Sequence, residues 1–330
     1  NQIQVKTDTL QFNIDLQGGN VVSATLPQYP VSLQQKNTPI QILSTTPGQF
    51  YVLQSGVTGS GKSNKPVLYR AAQRRYQLAA GENSLEVTLT AQHAGLQITK
   101  TYQFQRGKYQ VHLLTTVKNT SAKPWSGSFY HQIARQKPEH HFGSMAYNAG
   151  AFSSQATPYE KIKYTAMDKA NLSQTVKGGW VAMQQHYFLS AWIPSPNKQY
   201  HYYSQVSGGG AQGANIYYLG MTSNLMTLKP GQTLQNQSRL YVGPEHISQL
   251  ATIAPGLNLT VDYGILSPIS LLIFWLMKQI YHVIGNWGWT IVMVTVVIKL
   301  VLYWPSSLSY SSMARMKKLA PRLKSLQERH

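Results

Sequence analysis

The chain has 330 residues, no cysteine, and 29 Lys and Arg against 10 Asp and Glu, a formal charge of +19. That length can bury a large core, and the missing cysteines exclude disulfides, thiolate zinc sites and cysteine nucleophiles. A basic balance of this size suits nucleic acid, anionic lipid or acidic clients.

The chain opens on NQIQVKTDTLQFNI, which already alternates like a strand, and ends on LKSLQERH in mid-helical pattern. Both ends read as cut points in a longer protein, with any export signal or anchor left out. From residue 1 to about 262, alternating runs are separated by Gly, Pro, Asn and Ser clusters. They include QFNIDL, FYVLQS, LEVTLT, LQITKTYQF, YQVHLLTTV, GWVAMQQHYFLSAWI and SRLYVG. Many strands without intervening helical periods predict an all-β, large antiparallel sandwich. The longest expected loops are 54–66, about 133–160, and the Gly208–Gly210 tract.

Composition changes near Asp262. Residues 265–284 (ILSPISLLIFWLMKQIYHVI) are apolar with Lys278, Gln279 and His282 gathered toward the C-terminal end. This pattern favours a helix lying in the membrane interface over one that crosses. Trp287 to Trp304 then gives 18 residues, roughly 27 Å of helix and about one hydrocarbon core. Trp287 and Trp289 mark one interface, Tyr303 and Trp304 the other, and Pro305 is expected to close the segment. The predicted division is 1–262 for the β-domain, 263–285 for the interfacial helix, 286–305 for the transmembrane helix and 306–330 for a further helix.

Residues 305–330 carry six Lys and Arg against one acid, Glu328. Because this basic run directly follows a membrane-length segment, nucleic acid is disfavoured as a partner. The positive-inside rule places it in the cytoplasm and residues 1–262 on the opposite, periplasmic side of the membrane. Met313, Met316, Leu319, Leu323 and Leu326 form one apolar stripe among Arg315, Lys317, Lys318, Arg322 and Lys324, a helix suited to an antiparallel partner or a lipid surface.

Within the transmembrane segment, Lys299 costs about 2.5–3.5 kcal/mol on insertion scales and so usually faces a cavity or partner. Thr295, Lys299 and Tyr303 recur every four residues as a polar stripe. Two readings stay open, a hydrated groove or a lysine whose stem snorkels to the cytoplasmic headgroups. The stripe favours the groove.

Other motifs carry less. Gly56-Val-Thr-Gly-Ser-Gly61-Lys62-Ser63 fits the P-loop pattern, but Asn64-Lys65-Pro66 opposes the helix that phosphate binding needs, so a surface loop is expected and no nucleotide. Glu139-His140-His141 puts adjacent residues on opposite faces with no second ligand pair, and no metal or cofactor is expected. Asp262, ending LNLTVD, reads as a juxtamembrane cap or turn. No GxSxG-type motif supports a hydrolase, and the chain is not read as an enzyme.

VKTDTL at 5–10, KGGWVAMQQHYFLSAWIP at 177–194, VGPE at 242–245, LTVDYG at 259–264, NWGWTI at 286–291 and YSSMARMKKLAPRLKSLQER at 310–329 together resemble the YidC/Oxa/Alb family, nearly end to end. The resemblance implies a periplasmic β-supersandwich, an amphipathic surface helix, a first core helix and the start of a cytoplasmic helical hairpin, with further core helices beyond. It implies a membrane protein insertase and chaperone acting alone or with the Sec translocon, without nucleotide hydrolysis. Its expected partners are nascent membrane proteins, ribosomes and anionic lipids, the last two met by the basic arm. The family's groove is made positive by an Arg on the first core helix, and Lys299 occupies the matching position. Lysine keeps the charge but loses the bidentate fork that grips a carboxylate. The rival reading is a membrane-tethered periplasmic carbohydrate- or peptide-binding module.

Overall fold

A computed structural model describes residues 1–59, 66–138, 148–185, 187–208, 213–261 and 267–327. It divides into two compact units, Asn1–Val261 and Asp262–His330.

The first unit is a sandwich of two mainly antiparallel sheets. The eleven-stranded sheet runs β14 (Ser173–Lys177), β17 (Gln199–Gly208), β18 (Asn215–Ser223), β11 (Trp125–Gln136), β5 (Tyr51–Gly59), β3 (Asn20–Pro30), β2 (Gln11–Asp15), β1 (Gln2–Lys6) and β7 (Arg75–Gln77). Two short strands, β19 (Met226–Leu228) and β4 (Pro39–Leu43), join it beside β11 and β3. The nine-stranded sheet runs β13 (Glu160–Ile162), β12 (Asn148–Ser153), β15 (Trp180–Gln185), β16 (Phe188–Pro194), β20 (Thr233–Pro244), β10 (Gln110–Asn119), β9 (Leu96–Gln105), β8 (Ser84–His93) and β6 (Arg70–Ala71). The period-two pattern explains the facing: in β9, Leu96, Ile98, Tyr102 and Phe104 are buried while Gln97, Gln103 and Gln105 are exposed. Phe104 meets Phe12 edge-on at 5.7 Å across the two layers.

Three expectations are corrected here. The stretch 54–66 is not all loop, because β5 continues to Gly59 in register with β11. Gly56 pairs with Tyr130 and Gly59 with Gly127. A Cβ on Gly59 would lie 2.5 Å from the Trp125 ring, and one on Gly56 2.9 Å from the Tyr130 ring. These glycines let two aromatic rings lie flat on the sheet, so the first part of the P-loop-like motif is sheet packing; residues 60–65, with Lys62 and Ser63, lie outside the described residues. Likewise 133–160 is partly strand: β11 extends to Gln136, β12 begins at Asn148, and Glu139-His140-His141 lies outside the described residues. Among the described residues no cluster of three or more metal-ligating side chains occurs.

At one end of the sandwich the single-turn α1 (Tyr164–Met167) buries Tyr164 and Met167. The chain then leaves β20 through α2 (Ile247–Ile253) and a 3-10 turn, Leu257–Thr260. Three side chains pin this tail to the sandwich. Trp180 Nε1 donates to Pro255 O at 2.9 Å, Arg239 Nη1 to Ile253 O at 2.9 Å, and Gln184 Nε2 to Thr260 O. Asp262, expected as a cap or turn, lies outside the described residues.

The second unit is a helical hairpin of α3 (Ser267–Ile284) and α4 (Trp287–Gln327). Gly285, at φ +67°, and Asn286 make the turn. Asn286 caps α4, its Oδ1 accepting from the Gly288 and Trp289 amides at 2.8 and 3.3 Å. Tyr281 stacks on Trp287 across the turn at 4.2 Å. The third correction is at Pro305, where α4 does not end but continues unbroken to Gln327. A proline inside a helix removes one N–H bond and crowds the preceding turn, which kinks or weakens the rod without obliging it to stop.

Candidate functional site

Helix α4 carries a long apolar segment, Trp287–Leu308, 22 residues whose most apolar 18-residue stretch has a mean hydropathy of 1.8 and is only 6% buried. A core helix of a globular protein would be mostly covered, whereas Ile291, Val292, Met293, Val296, Leu300 and Val301 are all exposed. Thr290 and Val294 are its covered positions, one turn apart, and α3 packs on α4. Lys299 is the one charged residue of this apolar segment, and it is exposed.

Thr295, Lys299 and Tyr303 lie on one exposed flank of α4, about 6 Å apart along the axis. Thr295 Oγ1 donates to Val292 O at 2.7 Å, so its hydroxyl needs no water to be satisfied in an apolar surrounding. The helix thus brings the three expected groove residues together as a strip. The positions of Arg315, Lys317, Lys318, Arg322 and Lys324 fall on the same continuous α4, while their side chains lie outside the described residues.

The β-domain holds polar groups that spacing alone did not single out. Lys100 is fully buried, donating from Nζ to Gly18 O at 2.9 Å, Gly19 O at 3.0 Å and Ser55 O at 2.7 Å, with Ser55 Oγ at 3.1 Å. Burial pushes its pKa down to about 7, while three carbonyl acceptors favour the charged form. It ties the β2–β3 turn to β5 where those strands share only the Val21–Leu53 pair. The signal was present in LQITKTYQF, since period two puts Lys100 on the core face between Ile98 and Tyr102.

Two more buried groups stand on β11. His131 is held by Ser238 Oγ at 2.9 Å and packs on Trp192, and burial drives its pKa down to about 3. Arg135 lies over the Tyr51 ring at 4.4 Å and donates to Gln184 O at 2.8 Å. Near it, Glu245 of the VGPE run accepts from Gln184 Nε2 at 3.5 Å, and burial raises its carboxyl to about 8. A cleft of about 720 Å³ opens beside β5, lined by Asp15, Asn20, Gln54, Tyr69, Trp125 and Tyr130 among others. None of these groups forms a nucleophile–base pair.

The family model of the YidC periplasmic domain matches residues 2–276, and that of the 60Kd inner membrane protein matches residues 279–330. The chain belongs to the YidC family. Membrane protein insertase YidC of Coxiella burnetii (strain Dugway 5J108-111) is 48% identical over 333 residues, covering 99% of this chain and 59% of that protein. Membrane protein insertase YidC of Legionella pneumophila (strain Paris) is 40% identical over 339 residues, covering 99% and 60%. The chain therefore spans about 60% of the length of these YidC relatives. Among solved structures, a galactose mutarotase-like protein from Lactobacillus casei is 11% identical with a TM-score of 0.45, covering 73% of this chain and all of that one.

Proposed function

We propose that the chain is the N-terminal part of a membrane protein insertase and chaperone of the bacterial inner membrane, a non-catalytic machine needing no nucleotide, metal or cofactor. The observation that carries this reading is the Trp287–Leu308 segment of α4, an exposed apolar stretch with a single cation, Lys299, on a polar flank. It is supported by the family and by the names of the relatives. Residues 1–262 face the periplasm, residues 263–285 lie in the interface, residues 286–305 cross, and residues 306–330 begin a cytoplasmic hairpin in a multi-pass protein. The excess of Lys and Arg after Pro305 supports that orientation.

In this mechanism Thr295, Lys299 and Tyr303 line a hydrophilic groove completed by helices outside this chain. An acidic extracytoplasmic segment of a nascent membrane protein enters it, attracted by Lys299. The client's apolar segment meanwhile moves along α4 into lipid, where burial of apolar surface drives release. Arg315, Lys317, Lys318, Arg322 and Lys324 meet ribosomes, client chains or anionic headgroups. The protein acts alone or with the Sec translocon.

A second reading, a membrane-tethered periplasmic carbohydrate- or peptide-binding module, is favoured by the cleft beside β5. The two part on Lys299. In cells depleted of their own insertase, rescue by the complete gene and insertion of a small single-spanning client are scored with wild type, Lys299→Arg, Lys299→Leu and Lys299→Glu. The insertase reading expects rescue by wild type and Lys299→Arg, and the deepest loss with Lys299→Glu. Equal insertion by the Glu and Arg variants refutes the charged groove. No rescue by membrane-localised wild type moves the assignment to the tethered module.

A further inference from the structure

The end of the sandwich from which the chain departs for α3 carries an apolar and basic rim. Leu33 is 81% exposed and Tyr187 68%, and Val31 and Leu259 are exposed as well. These residues come from three separate parts of the sequence, and the contacts place them together. Tyr29, two residues before Val31, packs edge-on against Phe188 at 5.7 Å, and its hydroxyl pairs with His246 Nε2 at 3.0 Å. The Glu245 amide donates to Tyr187 O at 2.8 Å. Gln184, in the same hairpin as Tyr187, holds Thr260 O beside Leu259.

Among the described residues, the charges at this end are Lys36 in the 31–38 turn, Lys161 in β13 and Lys163 just after it, against Glu160 and Glu245. The segment bearing Lys161 and Lys163 reaches this end because Ile162 pairs with Gly150 and Gly150 with Met183, next to Gln184, and the Tyr159 hydroxyl donates to Gln184 Oε1 at 3.4 Å. Burial raises the Glu245 carboxyl to about 8, which leaves the rim net basic at neutral pH.

Only five residues separate Val261 from Ser267 in the sequence, a stretch whose six Cα–Cα steps span at most about 22 Å. The tail that ends the sandwich is fixed to this end by Trp180, Arg239 and Gln184. A tyrosine and branched aliphatics ringed by lysines are the residue types that settle at a headgroup layer.

We propose that the rim formed by Val31, Leu33, Tyr187 and Leu259, flanked by Lys36 and Lys163, is a docking surface for an anionic phospholipid bilayer. The inference rests on the membrane reading of α3 and α4, and goes beyond it by assigning the β-domain itself a lipid contact.

The absence of cysteine in this chain makes a single introduced one unique within it. The protein is reconstituted into phosphatidylglycerol-containing vesicles with an environment-sensitive fluorophore on Leu33→Cys, Tyr187→Cys, Leu225→Cys or Val301→Cys. Leu225 is the control: it is 75% exposed, but sits beside β19 at the opposite end of β11 from Arg135. Lipids brominated near the headgroup are expected to quench the labels at 33 and 187 by about threefold more than the label at 225, as an interfacial contact requires. Adding Lys36→Glu and Lys163→Glu should roughly halve the quenching at 33, in a salt-dependent way. Quenching at 33 and 187 no greater than at 225, with the label at 301 quenched by bilayer-centre bromines, overturns the docking surface and leaves the membrane reading intact. A label at 301 that no lipid quenches overturns both.

Discussion

Replacing Lys100 by methionine removes a buried ammonium while keeping the length of its stem. Three charge-assisted hydrogen bonds to Gly18, Gly19 and Ser55 carbonyls disappear. At roughly 1.5–3 kcal/mol each these amount to about 4.5–9 kcal/mol of attraction. Gly19 O keeps the Tyr102 hydroxyl at 2.8 Å, which reduces the loss. Methionine also relieves the cost of burying a charge, several kcal/mol, and packs its thioether near the Tyr69 ring. The expected net effect is a loss of about 2–4 kcal/mol, most of it from the strand separation at the Val21–Leu53 pair, where no ladder compensates. Urea unfolding of residues 1–261, followed by the fluorescence of the buried Trp180 and Trp192, measures it. A Lys100→Met domain within about 0.5 kcal/mol of wild type, or more stable, would refute the view that the ammonium staples the two parts of the sheet.

Further outcomes follow from the same packing. Gly127→Ala should destabilise the domain by at least about 2 kcal/mol, because its Cβ would fall 2.2 Å from Thr58 O and 2.3 Å from the Trp125 ring, and a thermal melt reads the difference. His131 is held well below its ordinary 6.5, so the unfolded chain takes up a proton that the folded chain refuses between pH 6.5 and about 3. Stability then falls as pH drops through that window, by up to about 1.4 kcal/mol per pH unit, and urea midpoints for His131→Gln should fall less steeply than for wild type. Glu245 works the other way: its raised carboxyl binds a proton in the folded state between pH 4.5 and about 8, so its contribution is lost as pH rises through that range. Being partly exposed, it contributes about 1 kcal/mol after screening, and Glu245→Gln should flatten the alkaline side of the stability profile.

The sandwich was legible where strands have one wet face, as in LQITKTYQF, whose alternation even flags the lysine turned inward. It was not legible in GWVAMQQHYFLSAWI, which reads as one run but folds as β15 and β16. Nearly every described position there is buried, and two fully covered strands leave no alternation to divide them. The segment following FYVLQS was misread because glycine usually marks a turn, whereas here Gly56 and Gly59 make room for rings from the neighbouring strand. The strip of Thr295, Lys299 and Tyr303 needed only the helical repeat. The Arg135–Gln184–Glu245 group, in which Arg135 and Gln184 are buried and Glu245 is half-buried, joins three distant segments, which no local pattern can anticipate.

The unbroken course of α4 has a mechanical meaning. Its 41 residues make a rod of about 60 Å, twice the thickness of the hydrocarbon layer it is proposed to cross. Past Pro305 some 33 Å of that rod project as a lever, so a tilt of about 10° in the bilayer swings the basic tip by nearly 6 Å. Pro305 is the compliant joint of this lever, with one backbone bond fewer than its neighbours. Load applied to the arm is therefore transmitted to the Lys299 flank only as far as that joint stays stiff.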